Sequence, residues 1–181
     1  NEHFMVKLVA EQIPASTKRT PLLVLGVFED EVEGIRNQLD GINSTTVELV
    51  DRVIQEKEHT GSFGSICIVH CFTGPIQRIM LLGLGQRASL DNEKVRVLAG
   101  KASVKAMEIN VTEYSIKPFT QLTKDLTEAI CEGTCLSLYK FDQYQSQKNG
   151  ESFHSPSLLT ISLLVDGNQE QWQSVLDTTR I

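Results

Sequence analysis

Long apolar runs, basic residues, prolines and familiar catalytic motifs are scarce or missing in this sequence, and each scarcity closes a class. No stretch reaches the roughly 18–20 continuous apolar residues that a membrane-spanning helix requires. The first residues, Asn1 to Lys7, lack the basic start, apolar run and small-residue cleavage site of a signal peptide. Lysine and arginine total 17 against 23 aspartates and glutamates, a formal net charge of −6 with a pI near 5.2. Non-specific nucleic-acid binding rests on a positive surface, so composition argues against it. With 5 prolines, 12 glycines and 22% charged residues the chain is neither collagenous, disordered nor coiled-coil. There is no H-E-x-x-H, G-x-S-x-G, Walker A or kinase motif. The sequons at Asn43 and Asn110 carry no meaning without a secretory route. The expected location is the cytoplasm, and the absence of an initiator Met leads us to expect a trimmed or excised piece.

What is present is ordinary for a globular domain: 181 residues, 20.2 kDa, 40% hydrophobic. A domain of this size buries about 70% of its unfolded surface without metal or disulfide staples. Residues 5–11 (MVKLVAE) and 21–28 (PLLVLGVF) read as strands, the second apolar throughout and so expected in a sheet covered on both faces. Residues 30–39 and 46–58 read as helices, then 63–72 and 78–84 as strands. Residues 92–109 read as a helix capped by Ser89 or Asp91, with Val95, Leu98, Ala102, Ala106 and Ile109 toward the core. Its small residues Ala99, Gly100 and Ser103 are expected to let it lie close against a sheet. A strand at 111–119, a helix at 122–139, a strand at 157–165 and a helix from 169 to 176 follow. Residues 142–156 read as a long polar loop. The alternation β-β-α-α-β-β-α-β-α-β-α predicts one domain, a three-layer α/β/α sandwich with a mostly parallel, mixed sheet.

Five constellations invite a chemical reading. Gly83, Gly85 and Ala88 satisfy G-x-G-x-x-A directly after a strand, the dinucleotide-binding fingerprint. That fingerprint needs a helix opening at the glycine turn, and here Ser89, Leu90 and Asp91 intervene. Cys67/Cys71 and Cys131/Cys135 form two C-x3-C pairs; strand spacing sets the first pair roughly 13 Å apart, too far for one zinc. His70 and Cys71 point to opposite faces of a strand and so do not form a nucleophile pair. The acidic run Glu29, Asp30, Glu31 and Glu33 reads as carboxylates complementing a helix N-terminus. Lys94, Lys101 and Lys105 share a helix face with Arg87 upstream, a solvated face or a surface for phosphate or DNA. No catalytic, cofactor-binding or metal residue is assigned.

Several blocks, in order and spacing, carry a resemblance. They are LLVLGVFED at 22–30, GSFG at 61–64, RIMLLGLGQ at 78–86, VRVLAGKASVKA at 95–106 and EGTCLSLYKFDQY at 132–144. Together they resemble the N-terminal domain of the leucine (cytosol) aminopeptidases, over about residues 20–165. The Gly-Ser-Phe-Gly turn is shorter than in that family, and Cys131 and Cys135 stand where it more often has Ala, Val or Leu. The resemblance implies a macro-domain-like sandwich at residues 1–181 that is non-catalytic. It places chemistry in a larger C-terminal domain, where carboxylates and a lysine hold two divalent metals (zinc, manganese or magnesium). There a second lysine and an arginine assist attack on the peptide carbonyl by metal-bound water. The family signature Asn-Thr-Asp-Ala-Glu-Gly-Arg occurs nowhere in the 181 residues, so no catalytic role is carried over. The chain is expected to stop where a linker to the catalytic domain begins. It also implies a homohexamer acting on peptides that bear N-terminal residues such as leucine, and an inactive isolated segment. Some bacterial members serve as DNA-binding regulators. Two rival expectations remain: an ADP-ribose or nucleotide site at residues 83–88, and a DNA-contacting face at Lys94, Lys101 and Lys105.

Overall fold

The computed structural model describes residues 5–13, 19–149 and 158–179. Its strands are β1 (Met5–Gln12), β2 (Leu23–Phe28), β3 (Ile66–His70), β4 (Arg78–Gly85), β5 (Glu113–Ile116) and β6 (Leu158–Val165). The helices are α1 (Ile35–Gln38), α2 (Ser44–Gln55), α3 (Asn92–Glu108), α4 (Lys124–Asn149) and α5 (Gln169–Thr178). They form a six-stranded sheet of order β1-β6-β5-β2-β4-β3, parallel except for β3 against β4. This is the mixed, mostly parallel α/β arrangement that the element order predicts.

Alternation along the strands splits the core in two. Val24, Phe28, Met80, Leu82 and Leu84 face α3, α4 and α5, together with Tyr114, Ile116 and Leu159, Ile161, Leu163 and Val165 of β6. Leu23, Leu25, Val27, Ile79 and Leu81 face α1 and α2. Every residue of β2 is buried, the reason its sequence shows no polar alternation.

Caps fix the helices. The Asn43 side chain accepts from the Thr46 N–H at 2.9 Å at the start of α2, and Asp91 accepts from the Lys94 N–H at 2.8 Å at the start of α3. Helix α3 ends in a double bond, Val111 N–H to Ala106 C=O and Asn110 N–H to Met107 C=O, with Asn110 left-handed at φ 60°. Both sequon asparagines thus serve helix ends.

Four expectations need correction. The helix expected at 30–39 is a 3₁₀ turn, Val32–Gly34, followed by the four-residue α1; Glu31 caps nothing with its side chain, and Gly34 interrupts the segment. The loop expected at 142–156 is helical through Asn149, because no glycine or proline breaks the chain there; residues 150–156 lie outside the described residues. The strand expected at 63–72 is confined to β3, since the Ser62–Ser65 turn, with Gly64 at φ 78°, precedes it. Gly100 faces not the sheet but α4: a Cβ there would stand 2.9 Å from Ser137 Cβ. Arg96 of α3 binds Glu132 of α4 across the same seam at 2.9 Å.

Candidate functional site

In open α/β sheets ligands collect at the carboxyl ends of the strands, where the chain's winding reverses direction. Here that reversal falls between β2 and β5. Lys117 follows β5 at this point, tied to β2 by its N–H to Val24 C=O at 3.1 Å. Its ammonium donates to Gln38 C=O at 2.5 Å, and the Gln38 carboxamide donates to Gly26 C=O at 2.8 Å. Burial pushes the Lys117 pKa down, opposed by the nearby charge of Asp40. Lys117 was not singled out from sequence; its signal is a lone lysine directly after Ile116, the last residue of β5.

Lys117 divides two clefts. One, about 400 Å³, lies at the ends of β2 and β5, bounded by Phe28, Glu31, Gln38, Arg87 and Phe119. The other, about 450 Å³, lies between the sheet and the start of α2, bounded by apolar residues together with Glu11 and Asp40.

The first cleft is flanked by a latch. The Arg87 guanidinium donates to Glu31 Oε2 from Nε at 2.8 Å and Nη2 at 2.5 Å, and lies 4.1 Å above the Phe28 ring centroid. Its backbone N–H donates to Asp30 Oδ1 at 3.1 Å, and Gln86 donates to Glu29 at 3.3 Å. The hydrogen bond to Glu31 raises the already high Arg87 pKa. Glu29, Asp30 and Glu31 therefore hold the end of β4, which corrects the reading from sequence for these three, while Glu33 stands in the first turn of the 3₁₀ segment.

The glycine motif is structural in placement. Gly83 lies inside β4, where a Cβ would collide with the Ser62 carbonyl, and Gly85 takes φ 74° as the strand ends. A 3₁₀ turn, Arg87–Ser89, then separates it from the Asp91 cap of α3. The helix thus opens away from the glycines, as the spacing predicts. Of the three lysines, Lys94 donates to Ser89 C=O at 2.8 Å and Lys105 lies 3.8 Å from Glu108. The stem of Lys101 covers Gly64.

His59 is buried at 3% exposure. Its Nδ1 accepts from the Gly61 N–H at 3.3 Å, and its Nε2 stands 3.2 Å from Ser65 C=O and 3.1 Å from Ser65 Oγ. Burial pushes its pKa down. At the far end of β3, His70 is exposed and Cys71 half-buried. All four cysteines are free thiols. Cys71 lies just past β3, while Cys131 and Cys135 neighbour one another on α4. Among the described residues no three His, Cys, Asp or Glu side chains come together as a metal site needs.

Comparison with known proteins decides the family. The family model "Cytosol aminopeptidase family, N-terminal domain" matches residues 24–148. The chain belongs to the cytosol aminopeptidase family. A probable cytosol aminopeptidase of Geobacter sp. (strain M21) is 29% identical over 136 residues, covering 74% of this chain and 27% of that protein. The probable cytosol aminopeptidase of Nitrosococcus oceani is 29% identical over 161 residues, 85% of this chain and 31% of its own length. This family chain thus spans under a third of those relatives. A tomato leucine aminopeptidase mutant has the same fold, with TM-score 0.68 and 17% identity over 96% of this chain and 35% of its own. A Trypanosoma brucei macrodomain in complex with ADP-ribose shares it at TM-score 0.62 and 10% identity, over 95% of this chain and 67% of that one.

Proposed function

We propose that these residues are the single, non-catalytic N-terminal domain of a cytoplasmic metallo-aminopeptidase. The whole protein removes N-terminal residues such as leucine from peptides and assembles as a homohexamer. The observation that carries this reading is the match of the family's N-terminal domain to residues 24–148 in a chain spanning under a third of its relatives. A pair of divalent zinc, manganese or magnesium ions needs several converging carboxylates. The described residues do not fit such a centre: they bring no three ligating side chains together, and Glu31 is engaged by Arg87. We therefore assign no metal-dependent step to them, and the domain's role is structural or regulatory. The test is hydrolysis of a leucine chromogenic amide with added manganese. The 181-residue chain is expected to be inactive, and the longer protein active and silenced by chelation. Metal-dependent leucine release by the short chain, or none by the long one, overturns the reading.

A second reading is a module that binds ADP-ribose or a related nucleotide. It is favoured by the roughly 400 Å³ cleft at the strand ends, where Arg87 and Lys117 meet Phe28 and Phe119. The cleft lies beside β2 and β5, whereas the glycines at 83–88 only adjoin it through Arg87. A flat calorimetric titration at millimolar ADP-ribose removes this reading. DNA binding through Lys94, Lys101 and Lys105 is weaker, since two of the three have partners within the chain. A gel shift at low salt tests it.

A further inference from the structure

On one face of the sheet, α1 and α2 cover the side formed by β2 and β4. Those helices pack on Leu23, Leu25, Val27, Ile79 and Leu81 of β2 and β4. Among the described residues no helix crosses the same face of β5, β6 and β1. The registers Leu23 with Ser115, Ser115 with Ser162 and Glu11 with Leu164 carry that face across the sheet, with Ser162 buried and Leu164 half-buried. The cleft of about 450 Å³ lies on it, walled by the start of α2 and the Gly74, Pro75 and Ile76 segment.

Its chemistry is two-ended. Leu23, Ile42, Ile76 and Leu164 make the lining largely apolar, while Lys117 supplies a cation and Asp40 and Glu11 supply carboxylates. Lys117 is half-buried, and its ammonium, with three hydrogens to donate, gives one to Gln38 C=O. Asp40 near Lys117, with Glu11 elsewhere on the same lining, disfavours a phosphate dianion by like-charge repulsion. An apolar lining disfavours a sugar, whose hydroxyls need many partners. A small zwitterion with an apolar tail satisfies both ends and the lining together.

We propose that this cleft binds a free α-amino acid with an apolar side chain, its carboxylate at Lys117 and its ammonium at Asp40. The binding itself is independent of the aminopeptidase reading. Only its use rests on that reading, since such an amino acid is the class of product that a peptidase of this kind releases. On that view the domain senses product.

The experiment is calorimetry on the 181-residue chain with L-leucine, leucinamide, N-acetylleucine and glycine. Leucine is expected to bind saturably at millimolar concentration or below. Leucinamide lacks the carboxylate and N-acetylleucine lacks the ammonium, so each is expected to bind at least tenfold more weakly, and glycine not measurably. Lys117→Met keeps the apolar stem and is expected to weaken leucine at least tenfold. Asp40→Asn, at an exposed position, is expected to do the same and serves where Lys117→Met does not fold. Absence of leucine binding to the folded chain, or equal binding of leucine, leucinamide and N-acetylleucine, overturns the proposal. Peptidase assays of the longer protein are read separately, so an inactive enzyme that still binds leucine here overturns only the aminopeptidase reading.

Discussion

The Gln173 carboxamide occupies the outer edge of β1, accepting the Ala10 N–H at 2.7 Å and donating to Leu8 C=O at 3.3 Å. One turn earlier, Gln169 donates to Ala10 C=O at 2.9 Å. Two glutamines at i and i+4 on α5 thus take the place of a neighbouring strand. They protect an edge that a parallel β1–β6 pair leaves open.

Gln173→Ala removes both bonds from that edge. The expected loss is about 1–3 kcal/mol, since each bond contributes ~0.5–1.5 kcal/mol net. Urea unfolding reads the stability, and sedimentation at rising concentration reads the exposed edge as self-association. An unchanged midpoint with a strictly monomeric variant contradicts the edge-protection argument.

The element order was legible because strands rich in Val and Leu and helices with apolar stripes are local signals. Sheet order was not: nothing local says that β5 and β6 insert between β1 and β2. The second half of α4 was misread because residues 142–149 are polar, although they hold no glycine or proline. His59 stands between the polar Glu58 and Thr60 and carries no local signal of burial, yet it is buried with its ring bonded to Gly61 and Ser65. Lys117 carries no motif; its importance comes from β5 and β2 becoming neighbours at the point where the winding reverses.

The α3–α4 seam makes a second prediction. A Cβ at Gly133 would collide with the Arg96 carbonyl and stand 2.7 Å from its carbon, and backbone cannot yield cheaply. Gly133→Ala is expected to cost ~1–3 kcal/mol or more, as overpacking does. Gly34 is the contrast: φ is −61°, with no atom within 4 Å of its added Cβ. There alanine is expected to be neutral or to stabilise by about 0.4–1 kcal/mol, by restricting the unfolded chain. Thermal melts of the two variants check the sign difference, and equal effects refute it.

Thiol reactivity separates the cysteines. The hydrogen bond to Cys135 pushes the Cys131 pKa up, with burial adding to it, while that bond pulls Cys135 down. The pair therefore loses its first proton readily and its second with difficulty. Burial raises both Cys67 and Cys71. Brief alkylation at neutral pH, followed by peptide mapping, is expected to label Cys135 first. Cys131→Ala is expected to slow that labelling by removing the donor. Earlier labelling of Cys67 or Cys71 rules the pair out as the reactive centre.

His59 links the fold to pH. Its Nδ1 accepts from Gly61, so the proton sits on Nε2, facing Ser65. A second proton would set an N–H against the Gly61 N–H in a buried site, and burial holds the folded pKa below the ordinary 6.5. The unfolded chain therefore takes up that proton first as pH falls. The contribution of His59 to stability is full above 6.5, is lost as pH drops from 6.5 to the folded value, and levels off below it. Urea unfolding on either side of this window is expected to show a steeper loss for the native chain than for His59→Gln, which keeps a polar group without the titration. Parallel losses in the two proteins place the acid sensitivity elsewhere in the molecule.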